Sequence, residues 1–211
     1  MSKLGLYCPT YKRPHKLQEV ATNIEQNTFS PFTLYWGCEP EDTESIEAAK
    51  ATGHKVVINK GKMGYSDTIQ TIYETGNEPI FFHCNDDFYF PKDWDKACME
   101  MLDKHPEIMV LGAADGTSSE AYSTVSFIRR KYIKEQSGVV DIPNRVFYPY
   151  HHNFQDTEMT KTAQFRGVWD KCTEPCIDHR RVGHDETYAK NSATYAQDNE
   201  IYYSRRHLFN G

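Results

Sequence analysis

Asn85-Asp86-Asp87 is the stretch of this chain best placed to do chemistry. Before it runs Pro79-Ile80-Phe81-Phe82-His83-Cys84, a short apolar segment that predicts a buried strand. After it comes Phe88-Tyr89-Phe90-Pro91, where proline stops a continuing ladder. Ligands of open α/β sheets gather at the C-terminal ends of strands. Adjacent carboxylates repel one another unless a cation or hydrogen bonds compensate. A hard divalent ion is the chemistry that suits such a pair, although the pair alone also fits a solvated turn. A second cluster, Cys172-x3-Cys176-x2-His179, resembles half of a zinc site. It has no second half with metal-ligand spacing, and a structural zinc needs four ligands. Reduced, buried thiols are the expectation for all six cysteines.

The elements that must position these residues alternate through the first half. Leu4–Cys8 predicts a strand, Lys16–Gln26 a helix with Leu17, Val20, Ala21 and Ile24 on one face, and Phe32–Trp36 a second strand. A helix over Glu44–Ala51, capped by Thr43 and stopped near Gly53, leads to a third strand at Lys55–Ile58. Tyr65–Glu74 predicts the helix before the aspartates, and Trp94–Leu102 and Ile108–Leu111 a helix and strand after them. This order predicts an α/β fold, a mainly parallel central sheet with helices on both faces. Later, Tyr122–Ile128 alternates like a strand, and 139–143 suggests a short edge strand. Phe154–Arg166 reads as a helix closed by Gly167, and Cys176–Asp178 as a short strand. From Asp185 to Phe209 the polar, Tyr-rich chain predicts a C-terminal helical extension. Trp36, Trp94 and Trp169 are expected in the core by default.

At 211 residues the chain fits a single domain, with 1–114, 115–180 and 181–211 as its successive parts. No apolar run approaches the roughly 20 residues that cross a bilayer, so no membrane insertion is expected. The first residues enter a strand with no signal-peptide core, which predicts a cytoplasmic protein. A net charge of -6 opposes an overall electrostatic drive towards nucleic acid. Local basic pairs at Lys12-Arg13, Arg129-Arg130-Lys131, Arg180-Arg181 and Arg205-Arg206 leave room for a basic face.

Four pieces in chain order resemble family-two, GT-A-fold glycosyltransferases, in the small form seen in bacteria and their phages. Cys8-Pro9-Thr10-Tyr11-Lys12-Arg13-Pro14 is similar to the family's first-strand segment. Asn59-Lys60-Gly61-Lys62-Met63-Gly64 resembles the loop that opens the helix before the metal motif. Asn85-Asp86-Asp87 stands where the Asp-x-Asp motif belongs, and Gln155-Asp156-Thr157-Glu158-Met159, with Arg166-Gly167 and then His179, resembles the catalytic helix, its end and the late histidine. The resemblance implies a nucleotide-sugar donor, with a UDP-sugar expected, held by Pro9, Thr10, Tyr11, Arg13, Glu39, Lys60, Gly64, Asn85 and Asp86. It implies Mn²⁺ or Mg²⁺ on Asp87 and His179, which would neutralise the diphosphate leaving group. Asp156 is implied as the base, since a carboxylate at a helix N-terminus stays ionised; a helix cap is its plainer reading. Glu158 is the rival base. One base and one displacement imply inversion.

Asn85 and Gln155 replace acidic residues of the family, which weakens the expected metal affinity and keeps a non-catalytic binding module as an alternative. A nucleotidyltransferase would need a glycine-rich loop with lysine after the first strand, where this chain has Pro9–Pro14. His151, His152, Trp169, Arg180 and Arg181 are candidates for acceptor contacts. Two acceptors stay open: a hydroxymethylated pyrimidine in DNA, with basic pairs on phosphates, and a saccharide held by hydrogen bonds and aromatic faces.

Overall fold

The computed structural model describes residues 3–61, 64–116, 121–179 and 193–209. A seven-stranded sheet, ordered β3-β2-β1-β4-β7-β6-β8, forms its centre. The strands are β1 (Leu4–Thr10), β2 (Phe32–Cys38), β3 (Lys55–Ile58), β4 (Ile80–His83), β6 (Val110–Ala114), β7 (Ser126–Arg129) and β8 (Trp169–Pro175). Only β7 runs against its neighbours β4 and β6; the pairings of β1, β2, β3, β4 and of β6 with β8 are parallel. The mainly parallel α/β sheet expected from the sequence is therefore present.

Side-chain alternation along the strands builds two cores. Leu4, Leu6 and Cys8 of β1, Leu34 and Trp36 of β2, and Ile80 and Phe82 of β4 face one side. There α1 (Leu17–Asn27) and α4 (Lys96–Lys104) cover them with Leu17, Val20, Ile24, Met99 and Leu102. Tyr7, Tyr35 and Phe81 point the other way, under α3 (Tyr65–Thr75), α5 (Arg130–Gln136) and α6 (Gln155–Phe165). Gly37 lets α3 lie close: a Cβ there would meet Thr68 Cγ2 at 2.4 Å.

Several expectations change. The cap of α2 (Thr43–Ala51) is Asp42, whose Oδ1 accepts from Ser45 N, because its shorter carboxylate also takes the Lys12 N–H. Residues 139–143 make a single bridge, Val139 to Ile142, and join no sheet. The strand expected from Tyr122 begins only at Ser126. Two elements were not anticipated, α5 and β8. A two-stranded ribbon also pairs β5 (Phe88–Tyr89) antiparallel with β9 (Asp178–His179). The helical extension is α7 (Tyr195–Arg205) with a 3₁₀ turn over Arg206–Leu208; the first part of that expectation, 185–192, lies outside the described residues. All six cysteines are free and buried, and Trp36 and Trp94 are core residues.

Candidate active site

The C-terminal ends of β1, β4 and β6 deliver Thr10, the Asn85–Asp87 turn and Asp115 to one edge of the sheet. Asp86 is buried and fully engaged: Thr10 Oγ1 donates to its Oδ2 at 2.8 Å and Arg13 Nη1 to its Oδ1 at 2.7 Å. Burial pushes the Asp86 carboxyl up, Arg13 and Thr10 oppose this, and Asp87 adds to it. Asp87 is differently placed. Its Oδ2 lies 3.8 Å from Arg13 Nη1 and 3.6 Å from His179 Nε2. Its Oδ1 and the Nδ1 of His179 are buried and have no hydrogen-bond partner among the described residues. Such atoms are rare, because leaving one unpaired costs about 1–3 kcal/mol.

The β5–β9 ribbon is what brings His179 here. Phe88 pairs with His179 in register, and their rings meet edge to face at 4.9 Å. Asp87 and His179 each keep a buried polar atom without a partner, Oδ1 and Nδ1, and a carboxylate beside an imidazole could hold Mn²⁺ or Mg²⁺.

Around the first helix turn after the basic loop, the expected donor residues take several roles. Pro9 sits in β1 beside Gly37. Tyr11 and Lys12 line an open cleft of about 330 Å³ together with Glu41, Asp42, Thr43 and Glu44. Glu39 is buried and accepts from Asn59 Nδ2 at 3.0 Å, Gly64 N at 3.0 Å and Thr68 Oγ1 at 3.1 Å. Its carboxylate thus pins the 59–64 loop to α3. Gly64, with φ of 137°, adopts a backbone few other residues reach, and a Cβ there would approach His151 O at 3.1 Å. The Lys60 side chain is exposed.

Asp156 lies in the first turn of α6. Its Oδ1 accepts from its neighbour Thr157 N at 2.7 Å, and its Oδ2 accepts a short bond from the Tyr122 hydroxyl. Burial pushes the Asp156 carboxyl above its ordinary value, with those hydrogen bonds opposing. Tyr122 in turn feels burial first, then Asp156, and also Asp115, so these groups share one polar corner. Asp115 is itself buried and accepts from Thr124 Oγ1. Tyr65 links this corner to the aspartate turn. Burial raises its pKa, and Cys84, Cys8, Asp156 and Asp87 add to the rise. Its hydroxyl meets His83 Nδ1 at 2.9 Å, while His83 Nε2 accepts from Ser126 N at 3.0 Å. The imidazole therefore carries its proton on Nδ1 and is neutral, burial lowering its pKa to about 3.

Glu158 has another task. It is buried, accepting from Tyr150 Oη at 2.6 Å and from Arg205 Nη2 at 2.8 Å and Nε at 3.0 Å. That network ties α6 to α7 and leaves Glu158 no free oxygen for an acceptor. The loop before α6 is held by Asp198, a fully buried carboxylate of α7. It accepts from the backbone N–H groups of His151, His152 and Asn153 at 2.8 to 2.9 Å. Burial alone would raise the pKa of Asp198, yet those donors bring it below its usual value. His152 is pushed down by burial; Asp198 and Asp87 oppose this and Arg13 adds to it, so the loop faces the aspartate turn. The His151 ring meets Asp198 Oδ1 at 2.9 Å.

The structure therefore gathers Thr10, Arg13, Asp86, Asp87, His152, Asp156 and His179 around one edge. It does not bring Trp169 there: this residue opens β8 opposite Val110, in register with Ile128 and Phe81, low in the sheet. Arg180 and Arg181 lie outside the described residues. The basic pairs are otherwise mostly internal. Arg129 donates to Ile108 O and Leu102 O, and buried Arg130 to Glu78 O, Tyr73 O and Tyr7 Oη. Arg205 holds Asp141 and Glu158. Tyr65, Asp115, Tyr122 and Asp198 were missed from the sequence. Asp115 carried a signal, a carboxylate just past a predicted strand, whereas Asp198 in a polar tail carried none.

No family model and no curated protein matches this chain. Solved structures do. Glucosyl-3-phosphoglycerate synthase from Mycobacterium tuberculosis, in complex with Mn²⁺, UDP and glucosyl-3-phosphoglycerate, aligns with a TM-score of 0.67 at 10% identity, covering 93% of this chain and 80% of that one. The same enzyme with Mn²⁺, UDP-glucose and phosphoglyceric acid gives 0.67 at 11%, covering 93% and 79%. A mannosyltransferase from Pyrobaculum calidifontis, in complex with GDP-Man and Mn²⁺, gives 0.71 at 12%, covering 97% of this chain and 64% of that one. The fold is that of GT-A-type glycosyltransferases. The shared architecture spans nearly the whole of this chain.

Proposed function

We propose that this chain is a glycosyltransferase that moves a sugar from a nucleotide sugar to an acceptor hydroxyl with inversion. The observation that carries the reading is the meeting of Asp87 and His179, with two buried polar atoms left without a partner, at the sheet edge where Asp86 is already neutralised by Arg13. Asp87 and His179 would hold the divalent cation, which supplies charge neutralisation for the departing nucleoside diphosphate. The solved structures of the same fold, in complex with Mn²⁺ and UDP or GDP-Man, support this donor chemistry.

The remaining steps belong to the side chains. Asp86, held by Thr10 and Arg13, fixes the turn and presents its surroundings to the donor ribose, with Asn85 beside it. The cleft at Tyr11 and Lys12 takes the nucleobase, UDP-linked in the first instance, and Glu39 acts by holding the 59–64 loop that carries Lys60 and Gly64. Asp156 accepts the acceptor's proton at Oδ2, on the lone pair that the Tyr122 hydroxyl leaves free. Its raised pKa makes it a stronger base than a solvated carboxylate. A single base opposite the leaving group gives one displacement and therefore inversion.

The acceptor is a polyhydroxylated small molecule or saccharide. Acidic and phenolic groups (Asp115, Tyr122, Asp156) frame the acceptor corner, and Arg129, Arg130 and Arg205 are engaged with protein groups, which takes away most of the expected grip on DNA phosphates. A hydroxymethylated DNA base, and with it a phage setting, rests only on pairs such as Arg180-Arg181. Incubation with Mn²⁺ and UDP- and GDP-sugars, against saccharides, phosphorylated small acids and hydroxymethylated duplex, tests the reading by mass of the product. No transfer and no nucleotide release from any donor would favour the binding-module alternative.

A further inference from the structure

Three thiols that the glycosyl-transfer reading does not use converge in the core. Cys98 comes from α4, Cys172 from β8 and Cys176 from the turn that leads into β9. Their three sulfurs lie within 4.8 Å of one another, and Cys98 Sγ and Cys176 Sγ are 3.2 Å apart. All three residues are buried, none above 4% exposed. Sequence spacing shows only Cys172 and Cys176; the third sulfur arrives from an element that no spacing rule connects to them. His179 completes nothing here, because its ring is turned to Asp87 and Phe88.

We propose that Cys98, Cys172 and Cys176 form a binding site for one thiophilic d¹⁰ cation, Cu⁺ on the three thiolates alone or Zn²⁺ with a water as its fourth ligand. Thiolates at about 2.3 Å from a single ion stand close to 3.8 Å from each other in tetrahedral geometry, a separation this cluster spans. Soft sulfur donors select such ions over the hard cations that suit Asp87 and His179, so one chain sorts two metals by ligand type. A third thiol within reach of both members of a close pair is more than a disulfide requires.

The site has a structural consequence. Cys176 stands three residues before His179, and its backbone N–H bonds Ala114 O at the end of β6. An ion bound to all three sulfurs clamps the β8–β9 turn onto α4 and so fixes the strand that carries His179. The role of the ion is to hold that strand in place and involves no redox step.

The test uses the full reduced chain, stripped of metal and titrated with Cd²⁺ or Zn²⁺. The expected result is a thiolate-to-metal charge-transfer band with Cd²⁺ that saturates at one equivalent and is displaced by Zn²⁺ or Cu⁺. Metal analysis of protein purified without chelator distinguishes those two ions. Cys98→Ser should weaken binding by about tenfold or more, as loss of even an outer ligand contact does, while Cys38→Ser in β2 should leave it unchanged. Should Cys98→Ser fail to fold, Asp87→Ala, which lacks the hard-cation site, decides: its unfolding midpoint should rise with Zn²⁺ but not with equal Mg²⁺. No band and no Zn²⁺-specific rise would overturn the site, as would equal affinity in a folded Cys98→Ser. Isolation of the chain with a Cys98–Cys176 disulfide that takes up no metal after reduction would overturn it too.

Discussion

His179 Nε2 stands 3.6 Å from Asp87 Oδ2, and the residue that makes this possible is neither of them but Phe88, paired with His179 across a two-stranded ribbon. The ribbon brings a strand-end aspartate and a late histidine side by side.

Asp156→Asn should lower the chemical step by about two to four orders of magnitude, the usual worth of a positioned base. Its folded-state pKa is raised, so the carboxylate form is disfavoured by folding at neutral pH. The amide removes that burden, and the unfolding midpoint should hold or rise while turnover collapses. A variant that loses both together would make Asp156 a structural residue of the first turn of α6.

Glu158→Gln should behave in the opposite way. It breaks a buried pair with Arg205 and should destabilise the chain by about 3 kcal/mol. Donor binding by the fraction that remains folded should stay intact. Chemical denaturation with nucleotide titration on the same sample separates the two effects. Full stability with a lost rate would return Glu158 to the role of base.

The acidic limb of kcat/KM should lie above the ordinary carboxylate value of 3.8, because the base works only when ionised and burial raises its pKa. Activity is thus lost as pH falls through that raised value. A limb at or below the ordinary value would remove Asp156 from the proton-transfer step.

Acid should also weaken the fold through His83, whose folded pKa is depressed from 6.5 to about 3. The stability this neutral imidazole contributes is complete above 6.5 and is lost as pH falls from there towards 3, where the unfolded chain alone binds the proton. Denaturation midpoints at several pH values should fall in that window. In His83→Gln the fall should be shallower; an identical slope would mean other groups account for it.

Transfer should depend little on ionic strength, since Arg129, Arg130 and Arg205 of the predicted grip are bonded internally. Arg205→Glu should unfold α7 from α6 before it reports on any phosphate. A steep loss of transfer with salt on a hydroxymethylated duplex would bring DNA back as the acceptor.

Much of this site was legible in the sequence, for a physical reason. Strand-end carboxylates such as Asp86 and Asp87 are announced by the apolar run that buries the strand, and the end of α6 by Gly167. Contacts that depend on tertiary pairing were not. Nothing local marks Phe88-Tyr89 as a partner of Asp178-His179, or Asp198 as the acceptor of three backbone donors in another segment. Basic pairs misled because sequence shows charge and not direction: Arg130 looks like a surface residue and lies under the sheet, bonded to Tyr7. β7 also escaped its true place, since an antiparallel strand inserted between β4 and β6 cannot be told from a neighbour by pattern alone.

The most direct measurement is nucleotide release from UDP- and GDP-sugars by the unaltered chain and by Asp87→Ala, each with Mn²⁺ and with chelator. The account predicts release by the unaltered chain in Mn²⁺ only, restored by re-adding the ion, and none by Asp87→Ala at any Mn²⁺ concentration. Equal release in chelator, or full activity of Asp87→Ala, would contradict it.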